Sequence, residues 1–231
     1  MRSVKAIFIK QAKDMTKNLS VLIMFIIFPL AAFAMTEFTV RGGHDVADAM
    51  FATMMASIFV GMGVVQSACT VIAEDREKKS LRFLVIAGVK PLAYLLGIGG
   101  VIFTVSIFSS LAFGYIGGFN RDEFIAFMVV MMSGAAASII LGATIGIYAK
   151  NQQAATGLST PIALVLGFAP VAAQVNERVE SVIWILYTQQ INVVANDFSA
   201  GLAGPLTVIW INTAVFAVLF TVSYVKKGLR E

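Results

Sequence analysis

Six stretches of roughly 20 mostly apolar residues set what this chain can fold into. They run from about 19 to 38, 50 to 72, 92 to 117, 124 to 149, 154 to 174 and 203 to 225. Each is long enough to cross a hydrocarbon core as a helix, the conformation that pairs every backbone polar group internally where no water can serve it. Hydrophobic residues make up 58% of the chain and charged residues 13%, about half the charged share of a soluble domain. The reading is an all-α integral membrane protein, one transmembrane domain over residues 1–231 with no room for a separate soluble unit.

The cations orient the spans. Arg2, Lys5, Lys10, Lys13 and Lys17 precede the first span; Arg76, Lys78, Lys79, Arg82 and Lys90 follow the second; Lys150 follows the fourth; Lys226, Lys227 and Arg230 close the chain. In a six-span path these fourteen share one side, and only Arg41, Arg121 and Arg178 face the other. Short loops rich in Lys and Arg stay cytoplasmic, so both termini and the 73–91 segment are expected inside the cell membrane. The net charge of +4 then suits contact with anionic lipid. Nucleic acid is not an expected partner, because the cations are divided among loops without interleaved aromatics.

Residues 1–18 read as an amphipathic helix lying in the membrane interface. Val4, Ile7, Phe8, Ala12, Met15 and Leu19 recur at three- and four-residue spacing, with Lys5, Lys10, Lys13 and Lys17 between them. The plainer alternative is a basic leader that only sets topology. Ala32-Phe33-Ala34 resembles a signal-peptide cleavage site, but the apolar run from Leu19 to Met35 exceeds the roughly 7 to 15 residues of such cores, so the segment is read as a span.

The polar inventory removes whole function classes. All thirteen Asp and Glu residues fall outside the apolar centres, which disfavours coupling to a proton or sodium gradient. The single histidine, His44, belongs to an expected external loop, and the single cysteine, Cys69, sits near the inner end of the second span as a small buried apolar residue. Neither has companions at metal-ligand spacing, and no nucleophile motif or aspartate cluster for a metal is present. Gly-Lys never occurs, so there is no phosphate-binding loop of the Walker type. No catalytic residue, metal or bound cofactor is expected, and any ATP must be hydrolysed by another subunit.

One dense charged run, Ala73 to Leu84, ends at Gly88-Val89-Lys90-Pro91. Leu81, Leu84 and Val85 fall at i, i+3 and i+4, while Arg76, Lys79 and Arg82 are three apart, the register of one short helix with an apolar and a charged edge. The order Asp75-Arg76-Glu77-Lys78-Lys79-Ser80-Leu81 resembles the loop of ABC-2 type permeases, the membrane subunits of ATP-binding-cassette exporters. That loop often runs Glu-Arg-Glu-x-Gly-Thr-Leu and then Pro-Val before span three; here Lys79 replaces the usual glycine and Gly88 the usual proline. The likeness extends over essentially the whole chain, from leader helix to sixth span.

The resemblance implies a coupling helix that docks on a cytoplasmic ABC ATPase, with Glu74, Asp75, Arg76, Glu77, Ser80, Leu81 and Leu84 as its residues and ATP and Mg used by that partner. It also implies a second permease, identical or homologous, to complete the path. Lys150-Asn151-Gln152-Gln153-Ala154-Ala155 resembles the family's turn between spans four and five, and residues 175–202 its short re-entrant helices on the external side. Pro161 and Pro170 should bend the fifth span. Trp184 and Tyr187 also read as interfacial aromatics.

Gln66, Ser106, Ser138 and Asn212 are candidates for lining the path, although bonding between helices explains them equally well. Gly114 with Gly118, and Gly142 with Gly146, match the small-residue spacing of close helix contacts, read here as packing within one chain rather than a dimer seam. The expected function is the permease half of an ATP-driven exporter of a peptide, antibiotic or other amphipathic compound; extended polysaccharide also fits. The alternative of another class is an ATP-independent accessory or assembly protein.

Overall fold

The computed structural model describes residues 2–41 and 49–227, so the expected loop residues His44 and Asp45 lie outside it, as do Arg230 and Glu231. Every regular element among the described residues is helical. An opening helix α1 (Arg2–Met15) is followed by α2 (Leu19–Arg41). Next comes one continuous rod, α3 (Met50–Ile58), a π-helical segment (Phe59–Val64) and α4 (Val65–Glu77). The short α5 (Ser80–Ile86) leads to α6 (Pro91–Ile116), α7 (Arg121–Gly146) and α8 (Gln152–Ala173). Two short helices, α9 (Glu177–Ile183) and α10 (Tyr187–Asn196), a 3-10 turn (Phe198–Ala200) and α11 (Ala203–Lys227) complete the chain. Six of these helices are long and apolar enough to cross a membrane, which makes this a multi-pass membrane protein.

The rod Met50–Glu77 is the axis of the bundle. In its most apolar window 83% of residues are buried, against 22% in α2 and α11, which therefore form the rim. The faces that α2 and α11 leave uncovered are apolar, as lipid requires. Local sequence places the helix starts. Asn120 and Glu123 form a reciprocal capping box on α7, Asn151 Oδ1 accepts from Ala154 N–H at 2.8 Å at the head of α8, and Pro91 opens α6 where no backbone donor is missed.

Small residues set the closest approaches. A Cβ on Gly142 would stand 2.3 Å from the Val65 carbonyl oxygen, and one on Gly146 2.6 Å from that of Cys69, so this pair seats α7 against α4 within the chain. Gly114 meets the Phe124 ring, whereas Gly118 is a left-handed turn residue at φ 62°. Cys69 is fully buried in a small cluster with Ala73, Ala149 and Ala155, in keeping with its apolar reading.

Two interruptions of the backbone ladder are repaired by serines from neighbouring helices. Pro29 inside α2 has no N–H for the Phe25 carbonyl, and Ser109 Oγ on α6 donates to that oxygen at 2.8 Å. In the π segment, Ser138 Oγ on α7 donates to the Val60 carbonyl at 2.7 Å and shares a 2.8 Å bond with the Tyr187 hydroxyl of α10. Tyr187 is fully buried and so is no belt residue; Trp184, 58% exposed, keeps that reading. α8 continues as helix through Pro161 and Pro170, and Asn192 Nδ2 of α10 donates to the Pro170 carbonyl at 3.3 Å.

The charged run is two helices rather than one. The second span continues to Glu77, five residues beyond the apolar stretch, because its last turns are held by polar partners inside the chain. The break falls at Lys79, the only described non-glycine residue with positive φ, at 57°. Lys79 thus adopts the conformation that glycine takes most readily at a helix end. α5 restarts at Ser80 and closes on Gly88 at φ 75°.

Candidate functional site: the charged end of the bundle

Four consecutive side chains at the end of α4 tie together five other segments. Glu74 accepts from Asn18 Nδ2 at 3.0 Å, in the turn between α1 and α2, and pairs with Lys78 one turn on. That bond raises the Lys78 pKa above its ordinary value. Asp75, 4% exposed, receives Lys10 of α1 and, at 3.0 Å, the hydroxyl of Tyr94 on α6. Arg76 donates to the Ile147 and Ala149 carbonyls, serving orphan acceptors at the C-terminal end of α7 where a cation also complements the helix dipole. Glu77 accepts the Gln152 backbone N–H at 3.3 Å, the corresponding anion position at the start of α8.

A buried carboxylate is tolerated only when paired and hydrogen-bonded, so Asp75 makes the seating of α1 part of the core structure. α1 is amphipathic as expected, and its apolar face rests on protein: Ile7 and Met15 are buried, with Ile7 filling the notch left by Gly97 on α6, where a Cβ would lie 2.5 Å from it. Lys5, Lys10 and Lys13 are exposed away from that face, with Lys10 turning its ammonium to Asp75; the helix ends at Met15 rather than at residue 18, so Lys17 is exposed in the turn that follows.

α5 is seated on the hydrophobic core beside this cluster by Leu81, with Leu84 and Val85 packed against the same core. Leu81 is 2% exposed and belongs to the main core, while Ser80 and Leu84 are half-buried at its flanks. Its outer face carries Arg82, Phe83 and Ile86, the two apolar side chains being 69% and 65% exposed. Tyr224 of α11 anchors the loop that follows by donating to the Val89 carbonyl at 3.1 Å. Of the residues expected to make the coupling contact, Leu81 is buried and Leu84 half-buried, whereas Phe83 and Ile86 face outward. Their i, i+3 spacing was visible, but which edge faced outward depends on the break at Lys79.

The path candidates separate. Gln66 bonds Thr160 Oγ1 at 3.3 Å and borders a cleft of about 240 Å³ between α2, α4 and α8 with Met24, Thr70, Gln153 and Thr156. Ser106 is fully buried and bonds within α6, Ser138 serves the π segment, and Asn212 donates to the Ile185 and Val208 carbonyls at 2.9 Å. Of the four, Gln66 alone is brought to this cleft.

A six-span helical bundle with a short helix mounted at its charged end is the build of a membrane transport subunit. Residues 45–224 match the family model described as ABC-2 family transporter protein, and the chain belongs to that family. It is accordingly the permease component of an ABC transporter, a family whose members work with ABC ATPase subunits. No curated protein matches the chain.

Proposed function

We propose that this permease belongs to an ATP-driven exporter, in which a partner ATPase using ATP and Mg docks on α5 and two permeases together enclose the path. The observation that carries the reading is the outward Phe83 and Ile86 on a helix whose Leu81 is sunk in the core. Large apolar side chains beside the charged end of a membrane bundle invite a protein partner. Glu77 and Arg82 add exposed charge around them. Glu74, Asp75, Arg76 and Leu81 then transmit, because a displacement of α5 or α4 must move α1, α7 and α8, to which they are bonded.

The charged end is cytoplasmic in this proposal. α1, the α4–α5 junction, the start of α8 and the end of α11 lie together, so the cation-rich segments gather at one end of the bundle as a cytoplasmic face requires. The residues 175–202 then lie on the external side as re-entrant helices. α10 meets the condition for such depth, since it packs on α3, α7, α8 and α11. The apolar interior and the Gln66 cleft suit an amphipathic compound or peptide better than an ion. The test is co-purification with the partner ABC ATPase: Phe83→Asp and Ile86→Asp should each abolish it, and Glu77→Lys should weaken it. Full retention by all three would remove α5 as the docking surface, whereas an unmodified chain that brings down no ATPase would favour an ATP-independent accessory role.

A further inference from the structure

Two helices interrupt their backbone ladders at one crossing. The central rod does so in the π segment Phe59–Val64, where a turn holds more residues than an α-helix allows. α8 does so at Pro170, whose ring nitrogen has no N–H for the Leu166 carbonyl. These two places touch. A Cβ on Gly61 would stand 2.6 Å from the Leu166 carbonyl carbon and 2.7 Å from its oxygen, so only glycine lets the rod approach the carbonyl that Pro170 leaves without its usual donor. Gly167 continues the seam, since a Cβ there would lie 3.4 Å from Met62 Cβ and 3.5 Å from Ile58 Cα.

The bonds on either side of this crossing join different partners. Toward the charged end, α4 and the first half of α8 are held together by Gln66 and Thr160 at 3.3 Å, by Glu77 and the Gln152 N–H at 3.3 Å, and by the packing of Cys69 and Ala73 with Ala155. Beyond the crossing, Asn192 Nδ2 of α10 holds the Pro170 carbonyl at 3.3 Å, and α10 packs on α3 and α7. One chain of hydroxyls reaches the π segment from both neighbours. Ser138 Oγ spends its hydrogen on the Val60 carbonyl at 2.7 Å, so in the 2.8 Å bond between Ser138 and Tyr187 it is Tyr187 that donates. Rewinding the segment to α-helix around its surplus residue would turn α4 by about 100° against α3. That rotation would pull Asp75 and Arg76 from their partners on α1, α6 and α7, whereas a bend keeps them.

We infer that this crossing is a paired hinge, about which α4 and the first half of α8 swing as one body against α3, α10 and the last turns of α8, and that Ser138 with Tyr187 latches it. Sharp bends in helices collect at proline and at π turns, where the ladder is already interrupted. The glycine seam brings the two backbones together with no side chain interlocked between them. The hinge does not depend on what moves α4; the reading above supplies only the drive, an ATPase on α5.

Spin-label distances in the full chain, in lipid nanodiscs and without the ATPase, test this. Labelled chain is diluted into excess unlabelled chain so that each distance lies within one molecule. Gln153→Cys with Lys226→Cys reports α8 against α11 at the charged end, and Asp122→Cys with Asn176→Cys reports the other end; all four positions are exposed, and the natural Cys69 is fully buried. Ser138→Ala should broaden the distance distribution of the first pair at least twofold and leave the second pair unchanged. Tyr187→Phe should act in the same direction. Met62 is the one residue of the π segment that is not fully buried, and deleting it leaves a continuous α-helix with the register of both halves kept. Added to Ser138→Ala, that deletion should restore the narrow distribution. Pro170→Ala in the same background, which returns a donor to Leu166 without displacing any residue, should narrow it as well and decides the matter should the deletion fail to insert. An unchanged first pair in Ser138→Ala, equal broadening of both pairs, or broadening that survives the corrected backbones would each overturn the hinge.

Discussion

Single side chains repair this bundle where its helices break their own rules. Ser109 replaces the donor that Pro29 withholds from the Phe25 carbonyl, so Ser109→Ala should cost about 1 kcal/mol in detergent unfolding. In a Pro29→Ala background, where the alanine N–H can take the same carbonyl, the loss should largely vanish; an undiminished cost would show that Ser109 acts through packing alone. Lys79 holds a left-handed conformation that a Cβ disfavours by roughly 1–2 kcal/mol, so Lys79→Gly should raise stability by up to about 1 kcal/mol after the added flexibility of the unfolded chain is subtracted. At this scale the sequence was partly legible. The charged run marked the right place, yet Asp75 meets Lys10 at a separation of 65 residues, and no local pattern reveals which of five leader cations turns inward.

Elements were the most legible level. Hydropathy located all six long helices, because an apolar run of span length has few other fates. It could not show the π segment at Phe59–Val64, since one extra residue in a turn leaves composition unchanged. Nor could it end the second span, for the last turns of α4 are polar and persist through bonds to α1, α6, α7 and α8. Glycine spacing suggested close contacts, and the structure assigns them to partners inside the chain. Gly142→Ala forces a methyl toward the Val65 carbonyl and should lower stability by about 1–3 kcal/mol. Gly157→Ala, whose Cβ would meet nothing within 4 Å on the open face of α8, should be neutral or slightly stabilising through helix propensity. Thermal unfolding of the two variants side by side measures the contrast, and equal effects would remove the packing argument for the α4–α7 seam.

For the whole molecule, the proposed orientation joins the two ends into one mechanism: a partner engages α5, and the hydrogen-bonded end of α4 passes its displacement along the central rod. That rod meets α7 and α8 along its length, and at the π segment it joins α10 through the Val60, Ser138 and Tyr187 bonds, so motion at the charged end has a physical route toward the opposite one. The scheme requires the Glu74–Phe83 end inside the cell and the α9 end outside. The natural chain is suited to the measurement, because its one cysteine, Cys69, is fully buried and should not react with a membrane-impermeant maleimide. Cysteines introduced at Lys78 or Phe83 should label only after the membrane is opened, whereas cysteines at Asp122 or Glu180 should label in intact cells. All four positions are exposed in the isolated chain, so a difference between them reports the membrane barrier rather than local burial. Labelling of Lys78→Cys from outside intact cells would invert the molecule, place the α5 surface beyond reach of any cytoplasmic ATPase, and end the coupling proposal.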